Sequence, residues 1–121
     1  MRLVDLIIGL NVIIFILLFS LPANRMIDTF NILSFSRGDM LELWRFLTSI
    51  FVHASATHLF FNMLALYFFG RVVEDETGAL GFLKVYLLSG IAGSLVHAIF
   101  TPSPAVGASA CIFGIMGAAM L

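Results

Sequence analysis

The sequence is poor in charge. Of its 121 residues, only 11% are Asp, Glu, Lys or Arg, whereas 61% are hydrophobic. Soluble proteins carry about 25% charged residues, so this composition excludes an ordinary soluble domain. The net charge of −1 gives no basis for a nucleic acid or polyanion partner.

Cysteine and proline are also scarce. The one cysteine, Cys111, excludes an internal disulfide and a metal site built from cysteines. The three prolines mark the ends of apolar segments, because proline interrupts a helix. Pro22 follows the first such segment, and Pro102 and Pro104 precede the last.

The few charges are segregated, which leaves long apolar segments between them. A helix that spans a bilayer needs about 20 mostly apolar residues. The pattern predicts an all-α, polytopic transmembrane helix bundle that forms a single domain over residues 1–121. We expect helices at about 6–21, 55–73, 81–100 and 107–121. The last is shorter than the hydrocarbon core is thick, so we expect the sequence to stop within its fourth helix.

Residues 22–54 form a charged connector that we expect outside the hydrocarbon core. Asp39 is a candidate N-cap, and apolar residues recur at helical spacing after it. This pattern predicts a helix in the membrane interface, with Trp44 and Arg45 as amphipathic anchors. Its apolar face consists of Met40, Leu43, Trp44, Leu47, Ile50 and Phe51.

Small residues mark where helices end and where they meet. Gly78 can end the second helix in a left-handed cap. Gly90 and Ser94 form a small-xxx-small pair in the third helix. The fourth helix has a small-residue face that we expect to lie backbone against backbone in the bundle, formed by Ala110, Gly114 and Ala118.

Two polar side chains interrupt the apolar second helix. His58 and Asn62 are four residues apart and therefore share a helix face. Polar groups at membrane depth are functional suspects, but hydrogen bonding between helices explains this pair equally well.

Ser109 follows the proline break on backbone flanked by glycine and alanine, and it is a candidate nucleophile. The predicted layout brings it to the same membrane face as His58 and Asn62. These side chains, with the free N–H groups at a helix start, are candidate donors to an oxyanion. None of the histidines has a spacing that indicates a Ser–His dyad, so the base stays open.

In this order and spacing, the motifs resemble those of the rhomboid intramembrane serine proteases. Trp44-Arg45 resembles the Trp-Arg pair of the family's first loop, and Glu74 matches an acidic residue at the end of the second helix. His53 together with His58-Leu59-Phe60-Phe61-Asn62 resembles the family's His…His-x-x-x-Asn signature on the second helix. Gly107-Ala108-Ser109-Ala110 resembles the Gly-x-Ser-x motif that opens the fourth helix.

The resemblance implies a role for each residue of the site. Ser109 would be the nucleophile, with Asn62, His58 and the Ser109 backbone N–H stabilising the oxyanion. Gly107 would allow close approach beside the nucleophile. Structural support would come from Trp44 and Arg45, which hold the first loop in the interface, and from the polar contacts of His53 and Glu74.

The resemblance also implies an activity. The reaction would be hydrolysis of transmembrane segments of other membrane proteins within the lipid bilayer, in a multi-pass protein of the cell membrane. No metal or organic cofactor is needed. The family's general base is a histidine on a sixth helix, so we expect the 121 residues alone to be inactive.

Two other functions remain open. The first is a non-catalytic rhomboid-like protein that binds transmembrane clients. The second is a channel or transporter component in which His58 and Asn62 line a polar path.

Overall fold

The computed structural model describes all 121 residues, apart from the side chain of Asp39. Its α-helices are α1 (Leu3–Phe19), α2 (Ala23–Leu33), α3 (Trp44–Thr48), α4 (Ala56–Ala65), α5 (Arg71–Phe100) and α6 (Ser109–Ala119). Two 3-10 turns, Arg37–Asp39 and Ser49–Phe51, flank α3, and a π-helical turn, Leu66–Gly70, joins α4 to α5. The described residues contain no β-strand, and the predicted all-α helix bundle is confirmed.

The π-turn makes α4 and α5 one continuous helix, Ala56–Phe100, which is long and apolar enough to cross a membrane. Gly78 divides it, with φ 80° and ψ 170°. Only glycine adopts this conformation readily. The helix is thus interrupted at Gly78, although its ψ differs from that of the left-handed cap that the sequence predicts. We call residues 56–77 the first limb and residues 79–100 the second limb; each is about 33 Å long at 1.5 Å per residue.

The two limbs run antiparallel. Asn62 of the first limb and Gly93 of the second both lie beside the start of α6. Thr77, next to the break, lies beside Ala118 near the other end of α6. Each limb therefore matches the hydrocarbon thickness of about 30 Å, whereas α1 and α6 are shorter apolar helices.

The N-terminus of α1 is fastened to the first limb. The Glu74 carboxylate accepts the backbone N–H groups of Leu3 and Val4 at 2.8 and 2.9 Å. Arg71 binds Asp5 at 2.7 Å beside this cap. Because these carboxylates satisfy the first turn, α1 begins at Leu3 rather than at the predicted residue 6.

The second limb and α6 pack at very short range. A Cβ built on Gly90 would lie 2.5 Å from the Cys111 sulfur, and one on Gly93 would lie 2.2 Å from the Ala110 Cβ. A Cβ on Gly114 would meet the Ser89 Oγ at 1.8 Å. Small residues therefore set the separation of the two helices, as the sequence predicts.

The connector differs from the prediction in its helices. It contains α2, which the sequence analysis does not predict, and its second helix covers only Trp44–Thr48 before a 3-10 turn. The predicted apolar face is split, since Leu43 and Leu47 are exposed and Ile50 is buried. The cap proposed for Asp39 rests on a side chain outside the described part of the structure.

The connector is held together at the C-terminus of α2, where backbone carbonyls lack helical partners. Trp44 Nε1 donates to the Ile32 carbonyl at 3.2 Å, and Thr48 Oγ1 donates to the Leu33 carbonyl at 2.9 Å. The buried Arg45 guanidinium donates to the carbonyls of Asn31 and Ser34. Trp44 is half-exposed, whereas Arg45 points into the connector. Their role in holding the first loop in the membrane interface stays a prediction.

Candidate active site

Ser109 is the first residue of α6, directly after the segment that leaves the second limb. The Asn62 amide nitrogen lies 3.4 Å from the Ser109 Oγ and donates to it. The first backbone N–H groups of a helix have no helical acceptor, so backbone donors also lie around this hydroxyl. The structure thus brings together two of the predicted residues, 47 positions apart in sequence.

A third member of the cluster is His53, which is only 1% exposed. Its Nε2 lies 3.1 Å from the Asn62 amide nitrogen and 3.3 Å from the backbone N–H of Ala108, which donates to it. A ring nitrogen that accepts a hydrogen bond carries no proton, so the ring is neutral with its proton on Nδ1.

The surroundings of His53 keep it neutral. Burial, and secondarily the nearby charge of His58, lower the pKa of His53 to about 4, while the Phe51 carbonyl opposes the shift. The ring is therefore a fixed acceptor that orients Asn62 and the backbone before Ser109.

The backbone at position 107 has a φ of +100°, a conformation that favours glycine. Its N–H donates to the Ser49 carbonyl at 2.8 Å. A Cβ at this position would lie 3.6 Å from the His53 ring, which is an ordinary contact. Glycine is needed here for the left-handed turn that leads into α6, more than for space.

His58 is not brought into this cluster. Its side chain is exposed. Its backbone N–H donates a hydrogen bond to the N-cap hydroxyl oxygen of Ser55 at 3.2 Å. Among the described residues its ring has no hydrogen-bond partner. His58 lies one turn before Asn62, so its predicted role as an oxyanion donor stays a prediction.

From its sequence, His53 belongs to the motif only as a structural polar contact. The structure makes it the ring that contacts Asn62. The signal that could have identified it is its position just before the helix that carries Asn62. No spacing rule indicates this contact, because it depends on the path of residues 52–54.

A cavity of about 140 Å³ lies on the other side of Ser109. Ser49, Ser94 and His97 contribute its polar side chains. The Ser49 hydroxyl is buried and has no partner among the described residues. His97 Nε2 lies 2.8 Å from the Ser103 carbonyl at its rim. The cavity is large enough for several water molecules, and polar groups line it.

The remaining predicted residues lie away from Ser109. Glu74 caps α1 at the opposite end of the first limb, and Trp44 and Arg45 cap α2. The described residues contain no group of three or more His, Cys, Asp or Glu able to hold a metal ion. Among them, no histidine ring is hydrogen-bonded to the Ser109 hydroxyl either.

Together, these observations define the class of the protein as an all-α helical bundle, with one helix long and apolar enough to cross a membrane and a polar cluster of Ser109, Asn62 and His53 at the start of α6. Its family is established by sequence. The family model for the rhomboid domain matches residues 40–121, and the chain belongs to the rhomboid family.

Curated relatives from two organisms have similar sequences. The rhomboid protease GluP of Bacillus subtilis is 48% identical over 77 residues, which are 64% of this chain and 15% of GluP. The inactive RHOMBOID-like protein 8 of Arabidopsis thaliana is 41% identical over 78 residues, 64% of this chain and 22% of that protein. YdcA of B. subtilis, named after the same family, is 39% identical over 109 residues, 84% of this chain and 53% of YdcA. The chain thus spans about half or less of these relatives.

Proposed function

We propose that this chain carries the nucleophile and oxyanion donors of an intramembrane serine endopeptidase. The observation that carries the proposal is the Asn62 amide, 3.4 Å from the Ser109 Oγ at the first turn of α6. An amide donor and unpaired helix N–H groups beside one hydroxyl suit acyl transfer, in which negative charge develops on the substrate oxygen.

In the proposed reaction, the Ser109 Oγ attacks the carbonyl carbon of the scissile peptide bond. The carbonyl oxygen becomes an oxyanion that accepts from the Asn62 amide and from the Ser109 backbone N–H. The ring of His58, one turn before Asn62 on the first limb, would be a further donor. A general base takes the Ser109 proton and returns it to the amine that leaves as the C–N bond breaks, which gives the acyl-enzyme. Water, for which the cavity beside Ser109 offers space, then hydrolyses the acyl-enzyme to release the carboxylate product and free Ser109.

His53 does not suit the role of general base. Its Nε2 already faces the Asn62 amide and the Ala108 N–H, and its low pKa leaves it a poor proton acceptor. We therefore propose that the base comes from a residue outside the 121 printed here. The 121 residues alone should not hydrolyse peptides efficiently.

We further propose that the protein crosses the membrane several times and cleaves transmembrane segments of other proteins in the cell membrane. The two antiparallel limbs have suitable lengths for crossing, and their ends hold the polar site and the Glu74 cap. The exposed apolar side chains of the first limb, such as Phe60 and Phe61, would face lipid or a client segment.

A second candidate is a rhomboid-like protein that binds transmembrane clients without cutting them. One similar relative is named as inactive, and no histidine bonds the Ser109 hydroxyl among the described residues. Both candidates predict client binding, so cleavage decides between them.

The test uses the full-length protein from its own cells, reconstituted in liposomes with single-span membrane proteins. Ser109→Ala should abolish cleavage, and Asn62→Ala should lower kcat about 100-fold or more, as loss of an oxyanion donor does. The exposed Ser20 and Asn24, which lie outside the site, are matched controls, and their alanine variants should cleave normally. Client binding that is retained without any cleavage by the wild-type protein would favour the second candidate.

A further inference from the structure

The segment that carries Ser109 is held from outside by the connector. Residues 101–108, which we call the serine loop, join the second limb to α6 without regular secondary structure. The shape of such a loop is set by its contacts. Besides the bond from the Ala108 N–H to His53 Nε2 described above, the connector supplies three such contacts, two within the loop and one where the loop begins.

The first contact is a reciprocal backbone pair. The Phe35 N–H donates to the Ala105 carbonyl at 3.1 Å, and the Ala105 N–H donates to the Phe35 carbonyl at 2.6 Å. The Phe35 side chain is fully buried, and its ring centroid lies 4.3 Å from that of Phe46. The pair therefore fixes the middle of the serine loop to the packed interior of the connector.

The second contact lies two residues further on. The Gly107 N–H donates to the Ser49 carbonyl at 2.8 Å, directly before the backbone turns into α6. Ser49 belongs to the 3-10 turn after α3. The position of the Ser109 hydroxyl therefore depends on where the connector lies relative to α6.

The third contact is made by Arg37 at the C-terminus of the second limb. Arg37 Nε donates to the Ala98 carbonyl at 2.8 Å, and its Nη2 donates to the Ile99 carbonyl at 3.1 Å. The last carbonyls of a helix lack helical partners and carry partial negative charge. The planar guanidinium can bond two adjacent carbonyls at once, which a lysine ammonium cannot do with the same geometry.

We infer that Arg37 is a positioning residue for Ser109. It touches neither Ser109 nor the oxyanion donors, but it joins the connector to the point where the serine loop starts. It lies two residues after Phe35, so it also holds in place the extended segment that pairs with Ala105. The inference rests on the proposed function, since positioning has a kinetic meaning only if Ser109 reacts.

The test compares Arg37→Gln and Arg37→Lys in the full-length protein. Arg37→Gln should lower kcat about tenfold and change KM less than twofold, because misplacing a reacting group costs rate rather than binding. Arg37→Lys keeps the positive charge but lacks the planar guanidinium, so its kcat should lie between those of the wild type and Arg37→Gln. Arg25→Gln is the matched control, since Arg25 is exposed on α2 and its side chain has no hydrogen-bond partner among the described residues.

A second measurement does not depend on catalysis. In a Ser109→Ala background, Arg37→Gln should speed hydrogen exchange of the Ala105 and Gly107 amides, while α1 and the first limb keep wild-type protection. A wild-type kcat would overturn the inference, even if the exchange rises. A fall in kcat with faster exchange throughout the bundle would also overturn it, because it would indicate general destabilisation.

The two proposals fail in different ways. If wild-type and Ser109→Ala proteins cleave equally, the proposed function is wrong and the kinetic role of Arg37 is wrong with it. If cleavage depends on Ser109 but Arg37→Gln cleaves at the wild-type rate, only the inference about Arg37 is wrong.

Discussion

The closest helix contact of the bundle permits a quantitative prediction, the effect of Gly114→Ala. The added Cβ would lie 1.8 Å from the Ser89 Oγ and 2.5 Å from the Ser89 Cβ. The hydroxyl can rotate away, but the Cβ is fixed to the backbone. Carbon atoms in contact need about 3.5–4.0 Å, so α6 and the second limb must separate locally by about 1 Å.

This separation would loosen the neighbouring contacts at Gly90 and Gly93, which are also tight. Overpacking a core typically costs about 1–3 kcal/mol. Alanine recovers up to about 1 kcal/mol of helix propensity relative to glycine. The net destabilisation by Gly114→Ala should therefore be about 1–2 kcal/mol, and the melting temperature should fall by several degrees.

The matched control is Gly117→Ala, three residues along the same helix. A Cβ at Gly117 meets nothing within 4 Å, so this variant should melt at or slightly above the wild-type temperature. Unfolding can be followed in detergent with a thiol-reactive dye, because Cys111 is the one cysteine of the sequence and is fully buried.

A double variant tests the cause. Adding Ser89→Gly to Gly114→Ala removes the opposing Cβ, and it should recover stability beyond the sum of the two single effects. If Gly114→Ala and Gly117→Ala melt at the same temperature, the close packing of α6 on the second limb is wrong.

Two further perturbations test the end of α1 and the buried histidine. Glu74→Ala should destabilise the protein by about 1–2 kcal/mol, as loss of a helix N-cap does, while alanine at the exposed Glu76 should leave the thermal midpoint unchanged. Because the pKa of folded His53 lies near 4, below its usual 6.5, the unfolded state binds more protons between these values and stability should fall as pH drops from about 6.5 to 4. His53→Gln should weaken this pH dependence of the melting temperature relative to wild type. His58→Gln removes only the second cause of the lowered pKa of His53 and leaves its burial, so it should weaken the dependence less. Equal slopes for wild type and His53→Gln would contradict the buried, neutral ring.

The connector illustrates the limit of sequence patterns. Its helix α2 places Met26, Phe30 and Leu33 at helical spacing, yet polar neighbours dilute the signal, and none of its residues is buried.

Arg45 is the clearer case. A charged residue beside Trp44 indicates a surface anchor, but here the carbonyls at the end of α2 lack helical partners. Trp44 and Thr48 each bond one of them, and the buried arginine bonds two more. Because the sequence pattern does not predict α2, it also cannot predict that Arg45 binds the carbonyls at the end of that helix.

The amino-acid sequence by itself determined the all-α bundle, the break at Gly78, the small-residue faces of the second limb and α6, and the candidates Ser109 and Asn62. These follow from composition, helical periodicity and the special backbone of glycine, which are local properties. The tertiary structure alone decided that His53, rather than His58, contacts Asn62, and that the connector holds the serine loop. Those contacts join residues 9 to 70 positions apart, from Asn62 with His53 to Phe35 with Ala105, and they depend on how the helices pack and on the backbone turn at Gly107, which no spacing in the sequence encodes.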